Sequence, residues 1–263
     1  MENAPQEPVL VDSPLTGAIR LTLNRPDRCN AFSSPMLTFL ADFLGKLPEK
    51  TDCRVLILRG NGSHFCSGLD LAEAYAAGIA GKQSAAYLMP EKVVEILSLI
   101  QKIPQTVVVS AAGGAFGGGA ALLAVADFVI AADRFRIGFP ELFRGLRPSL
   151  LHPFLSRKLS PSALKRLLYT PGGVGADEAL RFGLVQKIVP AQDRKAETLR
   201  RVKMLLAAEP NTLVRTKKIL NQTLIPPDVE IKTGLYDHWA SWKTDAAQEG
   251  VAAFLEKRPP RWK

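Results

Sequence analysis

Two apolar rhythms divide the chain. Residues 18–24 (AIRLTLN) and 54–59 (RVLILR) are short runs that read as β-strands, and the second is nearly continuous in apolar character. That continuity suits a strand covered on both faces. Between them Met36, Leu40, Phe43 and Leu47 recur at spacings of four, three and four, which places them on one helical face. Ser33 or Ser34 supplies the cap of that helix and Pro35 its first turn. Residues 91–102 repeat the pattern with Val93, Leu97 and Ile100, and Pro104 closes it. Residues 106–110 (TVVVS) and 128–132 are the next buried strands.

Beyond Leu150 the pattern becomes helical. Helices are predicted over 162–169, 176–182, 191–207, 212–224 and 228–255, the last broken near Thr244, with one short strand near 185–189. The architecture expected is α/β, a β/α core followed by a helical tail. No repeat of fixed period and no low-complexity linker interrupts it.

Composition narrows the class. The 263 residues, 47% hydrophobic and 22% charged, are those of a globular protein able to bury a sizeable core. Cys29, Cys53 and Cys66 are an odd number without metal-like spacing, which favours a reducing compartment. Residues 1–8 carry neither a basic nor an apolar signal region, and the apolar stretch 120–132 is too short to span a bilayer and contains Asp127. A cytoplasmic location, with no membrane partner, is the expectation. The net charge of +9 is spread in mild clusters without interleaved aromatic residues. That argues against a nucleic-acid platform and leaves a solvated basic surface or attraction for a polyphosphate ligand.

Glycine concentrates in two places, each directly after a buried strand. The first is residues 61–71 (NGSHFCSGLDL) and the second residues 113–120 (GGAFGGGA). A strand that runs into glycines and then a helix brings backbone N–H groups close to a ligand. The spacing fits neither a dinucleotide fingerprint nor a phosphate loop. Three glycines at a helix start fit an N–H aimed at a small negative charge, or tight packing of that helix on the sheet.

Several segments together resemble the crotonase (enoyl-CoA hydratase/isomerase) superfamily. They are Asn24-Arg25-Pro26 with Asn30-Ala31, the run Phe65-Cys66-Ser67-Gly68-Leu69-Asp70-Leu71, and Gly117-Gly118-Gly119 with Ala126-Asp127. Phe139-Pro140-Glu141 with Gly145 and Pro148 continues the likeness, as do residues 176–185 and the ending 249–258. The resemblance implies a crotonase-like spiral of β-β-α turns over residues 1–195, carrying the active site. It implies a C-terminal helical trimerisation region over 196–263, with a homotrimer or hexamer as the assembly. It also implies an acyl-CoA substrate, coenzyme A being part of the substrate, with no separate cofactor and no metal.

By the same resemblance the backbone N–H groups of Leu69 and Gly118 form an oxyanion hole, and Glu141 is the catalytic carboxylate. Arg28, Ser67, Gly68, Asp70, Leu71, Phe254 and Lys257 are implied in substrate and coenzyme A binding, the resemblance allowing the last two to act from a neighbouring subunit. Hydratases of the family carry a second glutamate two residues after the glycine triplet, and here that position is Ala121. Hydration asks for two cooperating carboxylates. Moving a double bond from the 3,4 to the 2,3 position needs one base, which takes a proton from C2 and returns it to C4. Isomerisation is therefore the favoured reaction. A single-glutamate hydratase is the nearest alternative, decarboxylation or hydrolysis stand further off, and a non-catalytic acyl-CoA-binding protein is the alternative of another class.

Pro148-Ser149-Leu150-Leu151-His152-Pro153 replaces a glycine-rich turn and should reshape the acyl pocket. Of the three histidines, His64, His152 and His238, only His152 is expected near that pocket. Cys66 reads as a small buried apolar residue. Asp70 reads as a helix cap.

Overall fold

Each strand expected in the first half pairs in register with the next. The computed structural model of the protein describes residues 7–80 and 88–262, so residues 1–6 of the amino terminus lie outside it. Along the chain the strands are β1 (Val9–Leu15), β2 (Ala18–Leu23), β3 (Val55–Gly60), β4 (Thr106–Ala111), β5 (Gly114–Phe116), β6 (Phe128–Ala132), β7 (Arg136–Gly138), β8 (Val174–Gly175) and β9 (Lys187–Val189). The helices are α1 (Ser34–Lys46), α2 (Leu71–Ala80), α3 (Met89–Lys102), α4 (Gly118–Val125), α5 (His152–Lys158), α6 (Pro161–Leu168), α7 (Ala176–Arg181), α8 (Arg194–Leu206), α9 (Pro210–Asn221), α10 (Asp228–Trp242) and α11 (Asp245–Leu255).

One sheet runs β1-β2-β3-β4-β6-β9, antiparallel only at β1–β2. Both faces of β3 are covered. Leu56 and Leu58 join the large core with α1, α3 and α4, while Val55 and Ile57 pack with Val108, Ile130 and Val202 of α8. A continuous apolar strand is the consequence of that double burial.

After each of these strands the chain steps into a second, shorter ladder. Phe32 bridges Leu69, Cys66 bridges Ala115, β5 pairs with β7, and β7 with β8. Strand, short strand, then helix or turn is the repeating unit, and the units stack as the expected spiral of β-β-α turns. Local signals held where they were strong. Ser33, not Ser34, caps α1, accepting from Met36 N–H at 3.4 Å. Thr244 caps α11 and breaks the long C-terminal pattern as expected.

Several boundaries move, α9 to Pro210–Asn221 and the start of α3 to Met89 among them. Residues 191–193 form a 3-10 turn before α8, and the last strand starts at Lys187 instead of Val185. Edge strand β1, mostly exposed and carrying Asp12 and Pro14, and the two- and three-residue strands β5, β7 and β8 had no periodic signal to find. Among the described residues no helix is long and apolar enough to cross a membrane.

Candidate active site

The two glycine segments meet at the second ladder. Phe32 N–H donates to Gly68 C=O at 2.7 Å, and Asp70 N–H donates to Phe32 C=O at 3.0 Å. Strand alternation then turns the Leu69 N–H to the opposite side, where it has no acceptor among the described residues. Gly118 opens α4, so its N–H is one of the helix's free donors, the first intrahelical bond being Ala121 N–H to Gly117 C=O at 3.0 Å. The segments touch: a Cβ built on Gly68 would lie 3.4 Å from Gly118 N.

Glycine is required here for stated reasons. Gly117 has φ +52, a left-handed value, and a Cβ on it would approach Glu141 Oε1 to 2.8 Å. A Cβ on Gly119 would fall 2.4 Å from Cys66 C=O, so α4 could not seat against the first segment.

The asparagine-arginine motif near residue 24 clamps this arrangement. Asn30, in a left-handed conformation with φ 55, donates through Nδ2 to the carbonyls of Asn61 and His64, both at 2.8 Å. Arg25 donates to Ala31 C=O at 2.7 Å and pairs with Asp70 Oδ2 at 3.0 Å. Asp70 Oδ1 also accepts from Glu73 N–H at 3.4 Å, the capping contact expected at the start of α2. Cys66 is fully buried and burial pushes its thiol up to about 12, so it stays protonated and packs as an apolar group.

Glu141 lies on the 3-10 turn Pro140–Arg144, directly after β7. Parts of the residue remain accessible, yet its carboxyl Oε2 is buried and has no hydrogen-bond partner among the described residues. Burial raises the carboxyl from 4.5 to about 7, opposed by its own N–H and by the positive charge of Arg144. Arg144 forms no ion pair with it. Its guanidinium carbon instead sits 3.9 Å above the Phe254 ring of α11.

A cavity of about 520 Å³ joins these groups. Arg28, Ser67, Gly68, Leu69, Asp70, Leu71, Gly118, Glu141 and Phe254 all line it. Pro148, Leu150 and Leu151 do so as well, which places the bulky replacement of the glycine-rich turn at the wall. Three expected residues lie elsewhere. Ala121 is wholly buried in α4 and does not line the cavity. Lys257 is exposed in a left-handed conformation two residues past the end of α11, away from its own chain's cavity, whereas Phe254 reaches that cavity without a neighbouring subunit.

His152 is the third, and it is corrected outright. It starts α5 and faces solvent, while His238 of α10 reaches the cavity. His238 is buried, accepts at Nε2 from Trp242 Nε1 at 3.0 Å, and burial lowers it to about 4, so it is neutral at physiological pH. Its Nδ1 therefore carries the proton. Nothing local in the sequence marks His238, because the cavity forms only when α10 folds over the turn Pro148–Leu150. Among the described residues no group of His, Cys, Asp or Glu is placed to hold a metal ion.

Comparison with known proteins gives the same picture over nearly the whole chain. The family model described as enoyl-CoA hydratase/isomerase matches residues 15–263. A putative enoyl-CoA hydratase of Thermus thermophilus is 30% identical over 91% of this chain and 95% of its own. A crotonyl-CoA hydratase of Syntrophomonas wolfei is 30% identical over 90% of this chain and 91% of its own. The crystal structure of a putative enoyl-CoA hydratase from Mycobacterium avium paratuberculosis superposes with a TM-score of 0.84 at 26% identity, covering 97% of this chain and 99% of that one. By its family match, its relatives and its crotonase fold, the chain belongs to the enoyl-CoA hydratase/isomerase family.

Proposed function

We propose that this enzyme isomerises 3-enoyl-CoA thioesters to their 2-enoyl isomers with Glu141 as its single base. The observation that carries the reading is that Glu141 is the one carboxylate lining the cavity, among the described residues, that is free to act. The other, Asp70, is held by Arg25 and the start of α2. Ala121 supplies no second acid or base.

In the proposed reaction the thioester oxygen accepts hydrogen bonds from Leu69 N–H and Gly118 N–H. Glu141 takes the C2 proton, and the electron pair moves into the carbonyl to give a dienolate held by those donors. The protonated Glu141 then delivers its proton to C4 as the electrons return to form the 2,3 double bond. Atoms and charge balance with no co-reactant. A carboxyl near 7 suits both halves, since it is partly ionised and partly protonated near neutral pH. Arg28 and Phe254 at the cavity rim are proposed contacts for the coenzyme A portion.

Hydration by Glu141 acting alone is the second reading, favoured by the hydratase names of the relatives. Purified protein given 3-enoyl-CoA and 2-enoyl-CoA in parallel separates the two. A conjugated thioester from the first, with no 3-hydroxyacyl product from the second, is the expected result. Efficient hydration of the second would overturn the isomerase reading. Turnover of neither, with tight thioester binding, would make the protein an acyl-CoA-binding relative.

The assembly is proposed as a homotrimer or hexamer. Ile219 and Leu220 on α9 and Val229 and Tyr236 on α10 are each more than 60% exposed and supply apolar surface for it. Sedimentation equilibrium giving a monomer would sink this part.

A further inference from the structure

A second cleft, sharing no residue with the catalytic cavity, lies beside the middle of β2 and the carboxyl ends of β3 and β4 on the sheet face covered by α8. It is small, about 30 Å³, and is lined by Arg20, Arg59, Ser110, Arg194, Lys195 and Thr198 with Ile57 and Leu199. Pairing explains the convergence. Arg59 lies opposite Ser110 on β4 and Thr22 on β2, so Arg20, two residues before Thr22, shares its face. Arg194, the first residue of α8, reaches over and donates to Ser110 C=O at 3.0 Å and Ser110 Oγ at 2.8 Å. Thr198 Oγ1 bonds Ser110 Oγ at 3.0 Å.

The charges do not balance. Arg20 pairs with Asp12, and Glu197 is taken by Arg200. Arg59 has no ion pair and no hydrogen bond among the described residues, and its Nε is buried, as is the unpartnered Nε of Arg194. Burial lowers the proton affinity of Arg59 and Arg194, and repulsion between Arg59 and Arg20 and between Arg59 and Arg194 adds to it, with Asp12 opposing at Arg59. Three guanidinium groups drawn together with one carboxylate between them leave a net positive charge that an anion would offset.

We propose that this cleft binds a small tetrahedral oxyanion, a phosphate or sulfate group, through Arg59, Arg194 and Arg20 with the hydroxyls of Ser110 and Thr198. The α8 N-terminus adds to the attraction. The cleft is small and open to solvent, which suits a single phosphate or sulfate group, free or at the end of an ester. Arg59 directly precedes Gly60 and the first glycine segment, and Ser110 precedes the second. An anion here braces the two strands that carry the oxyanion-hole donors.

Thermal unfolding in sodium phosphate against sodium chloride, at equal ionic strength and pH, tests the assignment. The wild-type midpoint is expected to rise saturably by ~3 °C at millimolar phosphate. Arg59→Gln abolishes that rise and Thr198→Val reduces it. Arg28→Gln, at the proposed coenzyme A contact in the catalytic cavity, keeps it, which separates this cleft from phosphate entering the coenzyme A site. An equal rise with glycerol 3-phosphate assigns the cleft to the terminal phosphate of an ester, and a rise with inorganic phosphate alone assigns it to the free ion. A phosphate response that is absent, or that survives in Arg59→Gln, overturns the proposal.

Discussion

Glu141 and Arg59 are both part-buried charges at the end of a strand, and each keeps a buried side-chain atom, Oε2 and Nε, without a partner among the described residues. Their surroundings differ. Glu141 lies in a cavity whose wall is largely apolar, with Arg144 nearby but stacked on Phe254. Burial there raises the carboxyl and makes it neutral for part of the time. Arg59 cannot lose its proton at any working pH, and cations outnumber carboxylates around it, with Asp12 already paired to Arg20. An orphaned carboxyl can therefore answer burial by titrating and so become a proton shuttle, whereas an orphaned guanidinium keeps its charge and is left to attract an anion.

The largest expected effect breaks the first half of the comparison. Glu141→Gln keeps the shape and removes the base, and isomerase kcat should fall by ~100–10,000-fold while thioester affinity is retained. Unchanged kcat would place the chemistry elsewhere. Next is Gly117→Ala, which puts a methyl group 2.8 Å from Glu141 Oε1 at a left-handed φ. Misaligning the Gly118 donor and the base together should cost ~100–1000-fold in kcat/KM.

The raised carboxyl also makes a stability statement. The unfolded chain releases this proton near 4.5 and the folded one near 7. Between those values the folded state holds more protons, so this group's contribution to stability falls as pH rises and is constant above about 7. At about 1.4 kcal/mol for each tenfold difference in proton affinity, the penalty is at most about 3.5 kcal/mol. Glu141→Gln should therefore be inactive yet more stable than wild type at pH 8, with a smaller difference at pH 4. Urea unfolding at both pH values checks this. A variant less stable than wild type at pH 8 would show that the carboxylate is paired after all.

How much of this was legible beforehand follows from how local each feature is. Ser33, Pro35 and the face of α1 are set within one helix, and they read directly. The motif around Glu141 also read directly, but its isolation did not, because it depends on α11 bringing Phe254 against Arg144 across 110 residues of chain. Arg20, Arg59 and Arg194 looked like scattered surface charge for the same reason: strand register and the seat of α8 bring them together. His238 is the mirror case, an ordinary helical residue until α10 closes over the cavity.

Arg144 sharpens the contrast at smaller cost. Its charge favours the ionised form of Glu141 without pairing to it, so Arg144→Met should move the acidic limb of the kcat/KM profile upward from about 7. Phe254→Leu releases the guanidinium from its ring and lets it approach the carboxylate, and the limb should move downward. If both variants shift the limb the same way, Phe254 is a wall residue and does not restrain Arg144.

The smallest effect concerns Arg59 without its anion. Like charges brought side by side on a folded surface cost roughly 0.2–1 kcal/mol for each pair, and Arg59 is repelled by Arg20 on β2 and by Arg194 at the start of α8. Arg59→Gln removes both repulsions and breaks no ion pair or hydrogen bond. In chloride buffer it should therefore stabilise the protein by about 1 kcal/mol, read as a higher urea midpoint with an unchanged slope. Saturating phosphate should reverse the order, because wild type gains the ion and the variant does not. A variant less stable than wild type in both buffers would mean that Arg59 stabilises the fold by packing its stem on Ile57 and Leu199, and the parallel with Glu141 would then fail at its basic end.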